Sequence, residues 1–386
     1  MLLDLISGSF AGKNPAPHCA NPDCPNYHHK NPYDTSWRKD HSTYETKAFG
    51  TVKRYRCTHC GKTFSDQTFV IDYYVKQTMD YLELIKFLVT TSGQGNITRF
   101  TGKRYELIQN RFQRLSRAFL ALNAELRQQI LPHEDFVLDG FETFTRSQFF
   151  PCHVNLITGA DSEFIYGVSF SQLRRKGKMT EAQKRKRAYL EETLGKAPPK
   201  AIQHSVERLC KDFVQFLTGK EPGKKTLFTD EHKAYARAFK NVEGFDSCLK
   251  HSQHSSKVFR NYQNKLFSAN YTDRQIRKDQ ANHVRETVQF ARCPAAMMAR
   301  ISIYIIYHNY IMPRRVKQQR KRNWETRGEY LGLNREVIRS LFEKVLGRRV
   351  FFHKCELWEE EKKTWNMEWR NEGIVMGKYV PLHIAA

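Results

Sequence analysis

The spacing of apolar positions changes along the chain, and the changes divide it. Residues 1–75 show little periodicity and are rich in Cys, His, Asn and Pro. Over residues 79–90 the pattern turns helical, with Leu82, Ile85 and Leu88 on one stripe. Ser92-Gly93-Gln94-Gly95 breaks that helix, and a short segment over 96–100 leads to Thr101-Gly102. A second helix is predicted next, with Tyr105, Ile108, Phe112 and Leu115 inward and Lys103, Arg104, Arg111, Arg114 and Arg117 outward. Leu131-Pro132 marks a boundary, because proline restricts the residue before it. Residues 134–312 then alternate strand-like and helix-like segments. The apolar run 136–139 ends in Asp139, and 153–157 and 163–170 read as strands joined by a turn at Thr158-Gly159-Ala160-Asp161. Residues 203–219 read as a helix; 225–230 is a strand ending in Asp230, followed directly by a helix over 231–239. A final amphipathic segment occupies 334–346.

Composition narrows the class. Of 386 residues 40% are hydrophobic, with 26 Phe and 18 Tyr, enough apolar material for a sizeable core and against wholesale disorder. The formal net charge of +24 calls for a polyanion, and nucleic acid is the usual one. A membrane surface is the alternative. No apolar run reaches the ~20 residues of a spanning helix; the longest, 297–312, is interrupted by Arg300, His308 and Asn309. The start MLLDLISGSF makes a poor secretory signal. A cytoplasmic location is expected, where nine cysteines serve as ligands or free thiols rather than disulfides.

Four of those cysteines are paired in sequence: Cys19-x4-Cys24 and, after a long insert, Cys57-x2-Cys60. Such pairs supply tetrahedral thiolate ligands to structural zinc, and a segment this polar has too little core to fold without it. Gly61 suits the tight turn of a zinc knuckle. The flanks Arg54-Tyr55-Arg56 and Lys62-Thr63-Phe64 read as a hairpin, with His18, His28, His29 and His59 as spare ligands. Arg54 and Arg56, with Lys53 and Lys62, would face phosphate. Helix, Gly-bearing turn and basic helix in 76–131 have the layout of a helix-turn-helix, with Lys103, Arg104, Arg111 and Arg114 towards DNA. An ordinary helical hairpin with a solvated basic face has the same pattern. Cys152, Cys210, Cys248, Cys293 and Cys355 stand singly and read as packing residues.

Asp139 and Asp230 each end a predicted strand. Strand-end carboxylates on a mixed sheet can converge on Mg²⁺ or Mn²⁺, although Asp also commonly starts turns. The segment Arg54-Tyr55-Arg56-Cys57-Thr58-His59-Cys60-Gly61-Lys62-Thr63-Phe64 resembles the head of bacterial insertion-sequence transposases of the IS-one type and their relatives. Phe228-Thr229-Asp230-Glu231-His232-Lys233-Ala234-Tyr235 resembles their second-aspartate motif, and Arg285-Glu286-Thr287-Val288-Gln289-Phe290-Ala291-Arg292 resembles the segment after their last catalytic carboxylate. The resemblance covers roughly residues 15–312, about three-quarters of the chain. It implies a multidomain protein: a zinc ribbon (1–75), a helix-turn-helix domain (76–131), an α/β ribonuclease-H-like catalytic domain with a mixed sheet (132–312, basic insertion about 174–200) and a basic helical C-terminal extension (313–386).

The same resemblance implies three metal-binding carboxylates, with Asp139 and Asp230 at the first two positions. Asp273 is best placed for the third, as an Asp where the family usually has Glu; Asp279 and Glu286 are rivals. On one helix, positions 273 and 286 lie about 140° apart around the axis and ~20 Å apart along it, so they cannot share a metal site. Asp273 and Arg277 are one turn apart, and an ion pair there would orient the carboxylate or simply decorate the surface. The expected activity is DNA transposition in a bacterial, nucleoid-associated setting. Double-stranded DNA (terminal inverted repeats and target) would be the partner of a homodimer or larger assembly. A non-catalytic DNA-binding regulator and a nuclease without strand transfer are the competing readings. The basic runs 174–187 and 314–322 read as DNA-backbone clamps or as solvated loops. His251 and His254 follow the last expected strand, and the acidic cluster around Trp358 would cover a basic surface or bind a partner.

Overall fold

The computed structural model describes residues 16–29, 31, 34–220, 223–255, 257–259, 261–284, 287–315 and 324–369. The head is a three-stranded antiparallel sheet, β1 (Arg38–Thr46), β2 (Gly50–Cys57) and β3 (Thr63–Ser65), in that order. The expected hairpin is β2–β3, with Tyr55 opposite Phe64. Strand β1 lies inside what reads in sequence as an insert. Trp37 stacks on Phe64 at 5.5 Å, and Tyr55, Phe69 and Phe351 complete a small aromatic core.

Three helices follow rather than two: α1 (Tyr81–Leu88), α2 (Gln94–Thr101) and α3 (Tyr105–Arg127). Asp80 caps α1 through its side chain, which accepts from the N–H groups of Leu82 and Glu83. The segment expected to be a short connector is α2 itself, closed by Gly102 at φ +64°, a conformation that costs glycine little. On α3 the residues Ile108, Phe112 and Leu115 are buried as expected, but Tyr105 is exposed.

Beyond Pro132 the chain builds a five-stranded mixed sheet. Strands β4 (Phe136–Phe144), β5 (Pro151–Gly159) and β6 (Ile165–Gln172) form an antiparallel meander. The exposed helix α4 (Glu181–Leu194) and the amphipathic α5 (Ala201–Thr218) come next. Strand β7 (Lys225–Thr229) runs parallel to β4. After α6 (Lys233–Phe239) and the short α7 (Phe245–Cys248), β8 (Leu249–Gln253) runs parallel to β7. The sheet order is β6-β5-β4-β7-β8. This α/β arrangement, with a three-stranded sheet near four clustered cysteines, is consistent with a ribonuclease-H-like core.

Both sheet faces are covered. Phe136 and Leu138 belong to one cluster with Val206, Leu209 and Phe213 of α5. On the opposite face, α8 (Phe267–Asp279) places Ala269 with Val137 and Phe228, and Ile276 with Phe141. Helix α9 (Pro294–Ile306) and the turn after it form the longest apolar segment, and its polar interruptions make contacts inside the protein. Arg300 donates to the carbonyls of Leu88, Thr90 and Ser92 at the end of α1. The His308 ring lies 2.9 Å from the Glu163 carbonyl, and the Asn309 side chain pairs with both backbone groups of Ile165 at 2.9 Å. The short α10 (Arg327–Tyr330), the expected α11 (Arg335–Gly347) and α12 (Glu359–Trp365) complete the described chain. One hydrophobic cluster takes residues from Ile71 to Trp358, so α1–α3, the sheet and α11 share a core. No helix among the described residues is long and apolar enough to cross a membrane.

Candidate functional site

The four cysteines form one cluster of candidate ligands, and the aspartates Asp139 and Asp230 are the other candidates. In the head, the sulfurs of Cys19, Cys24, Cys57 and Cys60 all lie within 4.8 Å of one another, the first three buried and the fourth exposed. The Cys19–Cys60 and Cys24–Cys57 pairs are 3.6 and 3.8 Å apart. A tetrahedron with zinc–sulfur bonds of about 2.3 Å has edges of about 3.8 Å, so the cluster can hold a structural zinc. The surroundings suit thiolates: the backbone N–H of Asn21 points at the Cys19 sulfur and the side-chain N–H of Asn26 at the Cys57 sulfur, both at 3.4 Å. Gly61 takes φ +71°, and its N–H donates to the Cys57 carbonyl, which closes the knuckle. Of the spare histidines, His18 lies edge-on to Tyr27, Phe69 and Phe351, where burial lowers its pKa to about 4.

The two aspartates are placed by strand register. Leu138 on β4 is the partner of Thr229, the last residue of the parallel strand β7, and Asp139 and Asp230 are the residues that follow them. Each carboxylate is tied locally: Asp139 accepts from the N–H of Gly140 at 2.7 Å, and Asp230 from the N–H of His232 at 2.9 Å. Burial first, then the charges of Asp139 and Asp230, push the Tyr235 phenol above the usual range. Alternation along β4 puts Asp139 on the face of Val137 and Phe141, which is the face that α8 covers.

Asp273 is on α8, one residue from the buried Thr272 and one turn from Ala269. The expected ion pair forms: Arg277 donates to Asp273 at 2.8 Å and also to the Glu142 carbonyl of β4 at 3.2 Å. Arg277 thereby moors the helix carboxylate to the strand that carries Asp139. The three aspartates are not drawn into one tight group, however. Among the described residues, the four cysteines alone bring three or more His, Cys, Asp or Glu ligand atoms within 4.8 Å of one another. Asp279 turns to Tyr304, whose hydroxyl donates to it at 2.9 Å. Glu286 and Arg285 lie outside the described residues.

Three histidines contact Thr229 and Gly140, the chain neighbours of the two aspartates, a feature only partly visible in sequence. The Thr229 hydroxyl lies 2.8 Å from the His251 Nε2, and the His254 backbone N–H donates to the Thr229 carbonyl at 2.8 Å. His153 on β5 covers Gly140, where a Cβ would stand 2.3 Å from the ring and 2.6 Å from the Val154 carbonyl. Gly140 therefore has no room for a side chain. Burial, then the charge of His232, lowers the His153 pKa to about 4. Strand alternation was the available signal, since His153 is the register partner of Glu142.

The basic residues divide. Arg56 is exposed and Arg54 half-buried on β2; Arg104 is exposed and Lys103 half-buried before α3. Arg111 and Arg114 do not face outward as the helical stripe suggests, and neither does Arg117. All three are buried. Arg111 pairs with Asp72 at 3.1 Å, Arg114 donates to the carbonyls of Ile71 and Tyr73, and Arg117 to that of Trp365. The segment before α1 and the end of α12 cover the flank of α3 that a two-helix hairpin would leave open. The run 174–187 is half helix, its second part forming the exposed start of α4. Of 314–322 only Arg314 and Arg315 are described, paired with Glu325 and Glu163.

No protein-family model matches the chain, and no curated protein does. Among solved structures, a chain of a simian T-cell lymphotropic virus intasome in complex with PP2A regulatory subunit B56 gamma aligns at 14% identity over 66% of this chain and 72% of that chain, with a TM-score of 0.22. A superposition this loose carries no argument about fold or chemistry.

Proposed function

We propose that the chain is a DNA transposase of the three-carboxylate type, binding element ends and catalysing phosphodiester cleavage and strand transfer. The observation that carries the reading is the pairing of Leu138 on β4 with Thr229 at the end of the neighbouring parallel strand β7, which are the residues just before Asp139 and Asp230. Two carboxylates offer hard oxygen donors, which suit Mg²⁺ or Mn²⁺. When bound, such ions would stabilise the charge developing on attacking and leaving oxygens. The residues of the chain hold the ligands: the Gly140 and His232 amides orient Asp139 and Asp230, and Arg277 positions Asp273 as the third carboxylate. Lys103 and Arg104, with Arg54 and Arg56 of the zinc head, would bind phosphate. The net charge of +24 and the order of motifs along the sequence support the same reading.

One observation favours a second reading, a DNA-binding protein without catalysis. Arg277 already grips Asp273, and the three aspartates are not gathered into one group. A Mg²⁺-dependent cleavage and strand-transfer assay on DNA containing the element ends separates the two. Asp139→Asn and Asp230→Asn are each expected to lower cleavage at least 100-fold while DNA affinity is kept. Cleavage that survives both substitutions overturns the proposal. Cutting without joining would identify a nuclease.

A further inference from the structure

A cavity of about 470 Å³ lies well away from the aspartates, between the β4–β5 turn, the end of β6, helix α4 and Trp369. We propose that it holds a single unpaired nucleotide of bound DNA. Its volume falls within the ~300–1,000 Å³ of small-molecule sites and is far below what a duplex needs.

The lining combines the two chemistries a nucleotide offers. Phe170 and Trp369 meet edge to face at 5.4 Å, and Phe149 forms another wall, presenting π-faces to a base. Arginine and lysine supply the anion partners. Arg174 is neutralised by a bidentate grip on Glu191 at 2.7 and 2.9 Å. Arg175, stacked over Phe149 at 4.7 Å, keeps a buried Nη1 with no hydrogen-bond partner. The buried Nε of Arg187 also has no such partner and lies 3.6 Å from Glu191. Buried donors of this kind gain most from an acceptor such as a phosphate oxygen. Phe144, where β4 ends, is five residues past Asp139, roughly 17 Å along an extended strand. A nucleotide in the cavity would therefore sit apart from any phosphodiester at the aspartate pair and set the register of the strand there.

The inference rests on DNA being the substrate, and the test separates the two. The full chain is titrated with a paired 40-base-pair duplex and with the same duplex carrying one bulged 2-aminopurine. The bulged DNA is expected to bind about tenfold tighter, with the probe fluorescence quenched by stacking. The double variant Phe149→Ala, Trp369→Ala should lose both the preference and the quenching while binding the paired duplex normally. Trp369→Phe, which keeps a ring, should retain both and controls for misfolding. An unquenched probe, equal binding of the two DNAs, or a preference that survives the alanine pair overturns the inference. Failure of either DNA to bind at all overturns the DNA reading with it.

Discussion

His283 shows how a single ring ties acid sensitivity to the site. It lies edge-on to Phe141 at 5.3 Å, fully buried. Burial, then the charges of Arg300 and Arg277, lowers its pKa to about 3. A histidine depressed below its free value of about 6.5 binds its proton more readily in the unfolded chain. Its contribution to stability is complete above pH 6.5 and is lost as pH falls towards 3. Between pH 7 and pH 5 the wild-type chain should lose about 2 kcal/mol through this group. Urea denaturation at the two pH values would show it, and His283→Gln should flatten that part of the profile. At this scale the four clustered cysteines were legible, because close pairs of thiols have few other uses in a polar segment. Arg111 and Arg114 were not. A stripe of apolar residues sets the phase of a helix against one partner, and α3 is enclosed by several.

At the scale of elements, legibility followed contrast between the two faces. Strands β5 and β6 and helices α5 and α11 have strong apolar patterns and appear where expected. Strand β1 went unseen because its sequence, RKDHSTYET, is polar on both faces and largely exposed. Helix α2 was obscured by Gly93 and Gly95 at its start. The strand β1 has little besides β2 to hold it, and β2 ends in Cys57. With zinc held by the four cysteines, its removal should therefore release the whole small sheet. With a strong chelator, amide protection at Tyr55 and Phe64 is expected to vanish while that of Leu138 and Leu156 persists. Protection in the head that is indifferent to chelation would show that its aromatic core suffices without metal.

Over the whole molecule, the last described helix works as a clasp. Glu361 of α12 receives two bonds from the fully buried Arg127 of α3, at 2.6 and 2.8 Å, while Glu360 pairs with Arg208 of α5 at 2.6 Å. Arg127 also stacks on Trp358 at 3.8 Å. The acidic cluster thus covers a basic surface, one of the two roles its composition suggested. Local spacing could not reveal the partners, which lie more than two hundred residues upstream of Glu361 in the case of Arg127. Glu361→Ala leaves that arginine buried without its counter-charge and is expected to cost about 3–5 kcal/mol. Glu359→Ala, at an exposed pair with Lys363, should cost under about 1 kcal/mol. Chemical denaturation of the two variants makes the comparison, and equal losses would discount the clasp.

Phe351 closes the aromatic core of the head from the far end of the chain, beside Tyr27 and Phe69, and the neighbouring Arg349 N–H donates to the Phe69 carbonyl. On the ribosome these partners are separated in time. Synthesis at about 5–20 residues per second puts Phe351 some 15–55 s behind Phe69. Throughout that interval the nascent head carries an open apolar face, which makes it a ready client for a chaperone. Chains stalled short of residue 347 should bind an apolar dye at the head, and completed chains should not. The head would then be made well before Phe351 and finish folding only after it.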